Sequence, residues 1–122
     1  MKTTKLLSTI LLLVAGVFTS NAIVAQDAVF EELDRALESA QEYIDVRETK
    51  IAGYNAMLQQ ETLSPIQRYN IYKSLYEEYY SFQFDKAMEM LDRRYELSTM
   101  LGDKRLIADD KLDRAMLYSI SA

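Results

Sequence analysis

Residues 64–103, SPIQRYNIYKSLYEEYYSFQFDKAMEMLDRRYELSTMLGD, decide the fold of this chain. Ser64-Pro65-Ile66-Gln67 combines an N-cap serine, a proline at the first helical position and a capping-box glutamine, so a helix is predicted to begin here. Phe82-Gln83-Phe84-Asp85 then turns this helix, the second of the chain after a long first helix, into the third, and Leu101-Gly102-Asp103 turns the third into the fourth. Antiparallel helices joined by such short turns are typical of an all-α fold that begins an α-solenoid.

The third and fourth predicted helices each carry one apolar face. In the third helix, from about Phe84 to Leu101, the expected buried stripe comprises Phe84, Ala87, Met88, Leu91, Tyr95 and Ser98. Gly102 suits a left-handed C-cap, and Asp103 suits the N-cap of the helix that follows. In that fourth helix the expected face comprises Ile107, Ala108, Lys111, Leu112, Ala115 and Ser119.

A long amphipathic helix is predicted for residues 26–60, ahead of the helical region 61–122. Its apolar positions follow a heptad spacing: Phe30, Leu33, Leu37, Ala40, Ile44, Ile51, Tyr54 and Leu58. Arg47 interrupts this seam, and Gly53 is a position where the helix could bend. A helix of this kind needs a partner, so we expect its seam to lie along the following hairpin or along a second copy of the chain.

Residues 1–25 have the pattern of a signal peptide. Lys2 and Lys5 precede an apolar run from Leu6 to Phe18, and small residues follow up to Ala22 and Ala25. Cleavage after either alanine is compatible with the sequence, and an uncleaved anchor is the alternative. We therefore expect an exported protein of the periplasm or cell envelope.

Composition excludes several classes of function. The sequence contains no His and no Cys, which removes Ser-His-Asp and Cys-His catalysis as well as metal sites built on these ligands. Neighbouring carboxylates on one helix point about 100° apart, so they do not converge on a substrate or cation. Removing residues 1–25 changes the formal charge from −5 to −7, which argues against nucleic-acid binding by this segment. We expect no enzyme activity, no cofactor and no metal site.

A row of tyrosines on the predicted second helix is the candidate partner-binding surface: Tyr69, Tyr72, Tyr76, Tyr79 and Tyr80. Tyrosine combines a large apolar area with a hydroxyl group, and it is enriched at recognition surfaces. The same spacing also suits rings that fill the space between helices, with their hydroxyls at the rim. The sequence favours this second, structural interpretation.

The segment from Phe82 to Ala87, Phe-Gln-Phe-Asp-Lys-Ala, resembles the turn that opens the second helix of a tetratricopeptide (TPR) repeat. Ala87 matches the small position of that helix and Leu91 its large apolar position. The match has departures, because Arg94 occupies a position that is normally small and Leu75 or Ser74 replaces a small residue of the first helix. The resemblance implies a degenerate TPR hairpin that binds a protein or peptide.

The layout as a whole resembles the N-terminal part of a Bacteroidota family of TPR-containing envelope regulators. The resemblance rests on the signal peptide, the long acidic helix, the segment from Pro65 to Ala87 and Leu101-Gly102-Asp103. It implies a sensory, protein-interacting segment, truncated before a transmembrane helix and an output region. A free-standing periplasmic helical adaptor or structural protein is the alternative.

The expected partners follow from these features. We expect a protein or peptide partner, and self-association through either the heptad seam or an exposed last helix. A membrane contact is expected only through an uncleaved signal sequence or a missing downstream span.

Overall fold

The computed structural model describes the backbone of residues 2–122 and the side chains of Lys5 and residues 23–122. It contains four helices: α1 (Lys2–Leu58), α2 (Pro65–Tyr79), α3 (Phe84–Leu101) and α4 (Lys104–Ser121). Over these described residues there is no strand, and α3 packs against both α2 and α4. The prediction of an all-α fold with TPR-like helical hairpins is confirmed.

The chain divides into two compact units, Met1–Ile44 and Asp45–Ala122. The first unit is helical, and its apolar side chains Phe30, Leu33 and Leu37 are exposed. The signal-peptide prediction falls mainly on residues 1–22, which, apart from Lys5, lie outside the described side chains. Among the residues that the structure describes, no helix is long and apolar enough to cross a membrane.

The second unit comprises the end of α1 and the three shorter helices. Ile51, Tyr54 and Leu58 of α1 pack against its core, so this part of the predicted seam lies along the hairpin. The helix continues through Gly53 without a break. Arg47, which interrupts the seam in the sequence, places its guanidinium 4.4 Å from the centre of the Phe82 ring and thereby ties α1 to the turn after α2.

The ends of the short helices are fixed by the predicted capping residues. Ser64 Oγ accepts a hydrogen bond from Gln67 N at 3.3 Å, and Ser64 N donates to Gln67 Oε1 at 2.8 Å, which completes the capping box. Asp103 Oδ1 accepts hydrogen bonds from the amides of Arg105 and Leu106 at 2.9 and 3.2 Å. Both N-cap predictions are confirmed, and each such cap stabilises its helix by about 1 kcal/mol.

An added methyl group should have opposite effects on stability at Gly53 of α1 and at Gly102, which ends α3. Gly102 has φ +66° at the end of α3, whereas Gly53 lies within α1, and neither position has a heavy atom within 4 Å of a new Cβ. Gly102→Ala should lower the free energy of unfolding by about 1–2 kcal/mol, because a Cβ disfavours the left-handed conformation. Gly53→Ala should raise it by about 0.5–1 kcal/mol. Urea unfolding would measure both, and a change of the same sign in the two variants would contradict this prediction.

The core of the second unit lies between α2, α3 and α4. Leu75, Ala87, Leu91 and Leu117 are completely buried there. The predicted stripe on α3 is confirmed for Ala87, Leu91 and Ser98, whereas Phe84 and Tyr95 lie at its exposed edge.

The predicted inner face of α4 is wrong. Its buried residues are Leu106, Asp110 and Leu117, while Leu112 of the predicted face is 61 % exposed. The physical reason is a pair of buried ionic contacts. Asp110 and Asp113 of α4 point toward a buried arginine of α3, and these contacts, rather than the spacing of apolar residues, determine which face of α4 is buried. An exposed apolar surface therefore remains on α4, formed by Leu112, Met116 and Ile120.

Candidate recognition groove

A buried ion cluster joins the three short helices. Arg94 of α3 has no exposed surface, and its guanidinium lies 2.9 Å from Asp110 Oδ1 and 2.8 Å from Asp113 Oδ2. Tyr69 of α2 donates its hydroxyl proton to Asp110 Oδ1 at 2.8 Å, and Ser98 Oγ donates to Asp110 Oδ2 at 2.6 Å. Each oxygen of the Asp110 carboxylate therefore has a donor, as a buried charge requires. We call Tyr69, Arg94, Ser98, Asp110 and Asp113 the ion cluster.

The surroundings of Arg94 keep it charged. Burial alone lowers its pKa, but the hydrogen bonds to Tyr69 and Asp113 and the charge of Asp110 outweigh burial and raise the pKa above its ordinary value. The guanidinium carbon also lies 5.3 Å from the ring centres of Tyr69 and Tyr76, close enough for cation–π attraction. Burial raises the pKa of Tyr69 as well, the bond to Arg94 opposing this effect and the bond to Asp110 reinforcing it.

A groove of about 390 Å³ opens beside the ion cluster, between α2 and α4. Its walls are Lys73 and Glu77 on α2 and Asp109, Leu112 and Asp113 on α4, and the buried side chains of Tyr76 and Arg94 form its floor. Lys73, Asp109 and Leu112 are exposed, so both walls offer groups to a partner. We call this surface the α2–α4 groove.

The five tyrosines of the sequence prediction have different surroundings. Tyr69 and Tyr76 are buried at 2 % and 5 % exposure, and Tyr76 alone of the five lines the α2–α4 groove. Tyr72, Tyr79 and Tyr80 are half-buried and pack against the core. The structure thus brings one of the proposed partner-binding rings to the groove and places the other four in or around the helix packing.

The sequence analysis identified Tyr69 as a candidate binding residue and Ser98 as part of a buried stripe, but it did not predict the pairing of Arg94 with Asp110 and Asp113. The available signal was Arg94, which the repeat comparison already marked as a large residue at a normally small position. A second signal was Asp110 in the middle of α4, where a carboxylate interrupts the inner face. Neither signal identifies its partner, because the two residues lie on different helices and meet only after these helices pack.

The ion cluster has no geometry for metal binding. Among the described residues, no group of three or more acidic, His or Cys side chains is placed to hold a cation. Asp110 and Asp113 instead share Arg94 as their counter-ion. The arrangement fixes helix positions and shapes the adjacent groove.

The raised pKa of Tyr76 predicts that the folded protein loses stability at alkaline pH. Burial, with smaller contributions from the charges of Asp113 and Tyr80, raises its pKa from 10.0 to about 12. As the pH rises above 10, the unfolded chain releases this proton first, so stability present below pH 10 is lost between about pH 10 and 12. At about 1.36 kcal/mol per pH unit, the loss from Tyr76 is at most about 2.7 kcal/mol.

Tyr76→Phe tests this loss of stability at high pH, because it removes the hydroxyl that titrates and keeps the ring. At pH 8 it should lower the free energy of unfolding by less than about 1 kcal/mol, because the hydroxyl makes only a 3.4 Å hydrogen bond to the Asp113 carbonyl. Between pH 8 and 11.5 its stability should decline less than that of the parent protein in urea titrations. An equal decline would show that Tyr76 does not cause the alkaline loss.

Comparison with protein-family models identifies the region that contains the groove. The model described as the SusR N-terminal TPR domain matches residues 37–122. Comparisons with curated proteins and with solved structures found no significant match.

Proposed function

Because this chain belongs to the family of SusR N-terminal TPR domains, we propose that its α2–α4 groove binds a segment of a protein partner and serves an envelope-associated regulator. TPR domains generally mediate protein–protein interaction, and they are typically non-catalytic. The single observation that supports this groove as the site is its position: it lies between two helices of the matched domain, and exposed polar and apolar side chains face each other across it.

The chemistry of the groove favours a partner segment with basic and apolar side chains. Asp109 and Glu77 offer carboxylates on opposite walls, and Leu112 offers an apolar contact that is 61 % exposed. Lys73 adds one cation, which could receive a backbone carbonyl or an acidic side chain of the partner. Asp113 contributes less, because its carboxylate is already bound to Arg94.

The ion cluster prepares this groove for binding. Tyr69 on α2 and Asp110 on α4 are joined directly, and Arg94 connects α3 to Asp110 and Asp113. These contacts hold the two walls of the groove at a fixed separation before a partner arrives. A preorganised site loses less conformational entropy on binding, so more of the contact energy appears as affinity.

Location and domain organisation form part of the same proposal. Residues 1–25 direct export, residues 26–60 form the amphipathic helix, and residues 61–122 form the TPR-like region exposed to the periplasm. The N-terminal basic and apolar segments and the acidic remainder support this assignment. Tyr72, Tyr79 and Tyr80 remain candidates for a peripheral contribution to partner binding, with Tyr76 at the floor of the groove.

Site-specific cross-linking tests the proposed groove. A photoreactive amino acid at Leu112 of the full chain should give an adduct with a specific protein partner in cells, whereas the same amino acid at Met100, which is 64 % exposed on α3, should not. Asp109→Lys should then weaken binding of the purified partner at least about tenfold in calorimetry, a change of about 1.4 kcal/mol, because the new cation repels the basic side chains of the partner.

Met100→Asp is the control for the binding measurement, since it places a new charge at an exposed site outside the groove. It should leave both partner affinity and the melting temperature unchanged. Adducts that form equally from positions 112 and 100, or an Asp109→Lys variant that binds as well as the parent protein, would contradict the assignment of the groove.

A further inference from the structure

The first unit carries an exposed apolar seam that the proposed groove does not use. Phe30, Leu33, Leu37 and Ile44 are 53 %, 50 %, 58 % and 45 % exposed. Each is a large apolar side chain, and exposing several of them along one helix is unfavourable in water. We call Phe30, Leu33, Leu37, Ala40 and Ile44 the N-terminal seam.

The spacing of the N-terminal seam specifies the kind of partner. Its residues recur at intervals of 3, 4, 3 and 4, which places Phe30, Leu37 and Ile44 at a positions and Leu33 and Ala40 at d positions of a heptad repeat. This repeat of 3.5 residues matches a helix that supercoils with another helix. The partner must therefore be a helix with the same repeat, and a second copy of this chain provides one.

Charge determines how two copies would align. The e positions are Asp27, Asp34 and the uncharged Gln41, whereas the g positions Val29, Ala36 and Tyr43 carry no charge. In an antiparallel pair the e positions of the two helices face each other, so the aspartates would repel. In a parallel pair each e position faces a g position, and no two like charges meet.

We propose that residues 26–44 pair with the same residues of a second copy in a parallel, in-register, two-stranded coiled coil. Leu33, Leu37 and Ile44 form part of the apolar core of this interface, and the charged residues Glu31, Arg35, Glu38 and Glu42 stay on its solvent side. The interface lies entirely in the first unit, so it is independent of the α2–α4 groove. Its test can therefore fail without affecting the proposed function.

Disulfide trapping in cells tests both pairing and direction, because the sequence contains no Cys. Leu33→Cys, Ala40→Cys and Ile44→Cys are introduced singly into the full chain, and Ser39→Cys serves as the outward-facing control. In a parallel, in-register pair all three seam positions meet their own copies closely enough for a disulfide, which requires Cα atoms within about 7 Å. We expect at least about tenfold more covalent dimer from each of them than from Ser39→Cys on non-reducing gels after mild oxidation.

Which of the three seam variants form covalent dimers distinguishes a parallel pair from an antiparallel one. Dimers from only one position would indicate an antiparallel pair, in which a residue meets its own copy only near the centre of the overlap. That result would overturn the proposal. Equal trapping from Ser39→Cys, or no trapping from any seam position, would overturn it as well.

Sedimentation of the purified full chain provides a second measurement that does not depend on cysteine chemistry. The parent protein should sediment as a dimer at about 100 µM. Leu37→Glu should reduce the mass of the sedimenting species to that of a monomer, because it places two carboxylates inside the interface. Ser39→Glu should remain dimeric. Far-UV circular dichroism and thermal melting check that both variants remain folded. A monomeric parent protein, or a Leu37→Glu variant of unchanged mass, would contradict the proposal.

Discussion

Arg94→Met should lower the free energy of unfolding by about 3–5 kcal/mol, the largest effect that we expect from any single substitution in this protein. Arg94 is completely buried, and it is the counter-ion of Asp110, whose exposed fraction is 1 %. Methionine occupies a similar volume but leaves the Asp110 carboxylate charged and buried, with only the hydroxyls of Tyr69 and Ser98 to stabilise it. Urea unfolding at pH 7 would measure the loss.

Arg93→Met is the matched control, because it makes the same chemical change at the next position of α3. Arg93 is exposed, and its 3.7 Å ion pair with Glu96 lies at the surface. This substitution should change stability by less than about 0.5 kcal/mol. Equal losses in the two variants would show that burial of Arg94 and its pairing with Asp110 do not determine the stability of the helical unit.

A double variant distinguishes two causes of the stability loss: the missing arginine side chain, and the Asp110 carboxylate that is left buried without its counter-ion. Arg94→Met combined with Asp110→Leu removes both charges, so it should recover a large part of the stability lost in Arg94→Met alone. A double variant that is less stable than the single one would instead assign the loss to packing around the arginine side chain.

Leu91→Ala should lower the free energy of unfolding by about 2–5 kcal/mol. Leu91 has no exposed surface and belongs to the core cluster with Leu75, Ala87 and Leu117. Its removal leaves a cavity between rigid helices, which close only partly around it. Thermal or urea unfolding would measure the effect.

Leu112→Ala controls for the change of side chain. Leu112 lies on α4 with 61 % of its surface exposed, so its truncation should change stability by less than about 0.5 kcal/mol. A loss as large as that of Leu91→Ala would mean that Leu112 is buried in the protein in solution, for example by association through the exposed face of α4.

The local boundaries of the fold were predictable because the responsible residues act on their own neighbours. Ser64 and Gln67 cap α2 across three residues, and Gly102 and Asp103 end α3 and begin α4 within one turn. The inner faces were less predictable. On α3 the apolar stripe indicated Leu91 correctly, but on α4 the same argument selected the face with the exposed Leu112.

For the candidate site, the sequence predicted one of the participating helices but not the groove itself. The tyrosines indicated α2, and α2 does form one wall of the groove through Lys73, Tyr76 and Glu77. The opposite wall comes from α4, which no sequence pattern connected with those tyrosines. A site built from two helices depends on which faces meet, and this information is absent from the periodicity of either helix.

The sequence by itself determined the helices, their caps and the heptad repeat of the N-terminal seam, because each depends on residues only one to seven positions apart. Only the tertiary structure decided that Arg94 is buried, that Asp110 and Asp113 point inward, and that the groove opens between α2 and α4. The physical reason is that a buried charge requires a counter-charge within contact distance. That requirement is met here across 16 and 19 positions of the chain, by packing that brings α3 and α4 together.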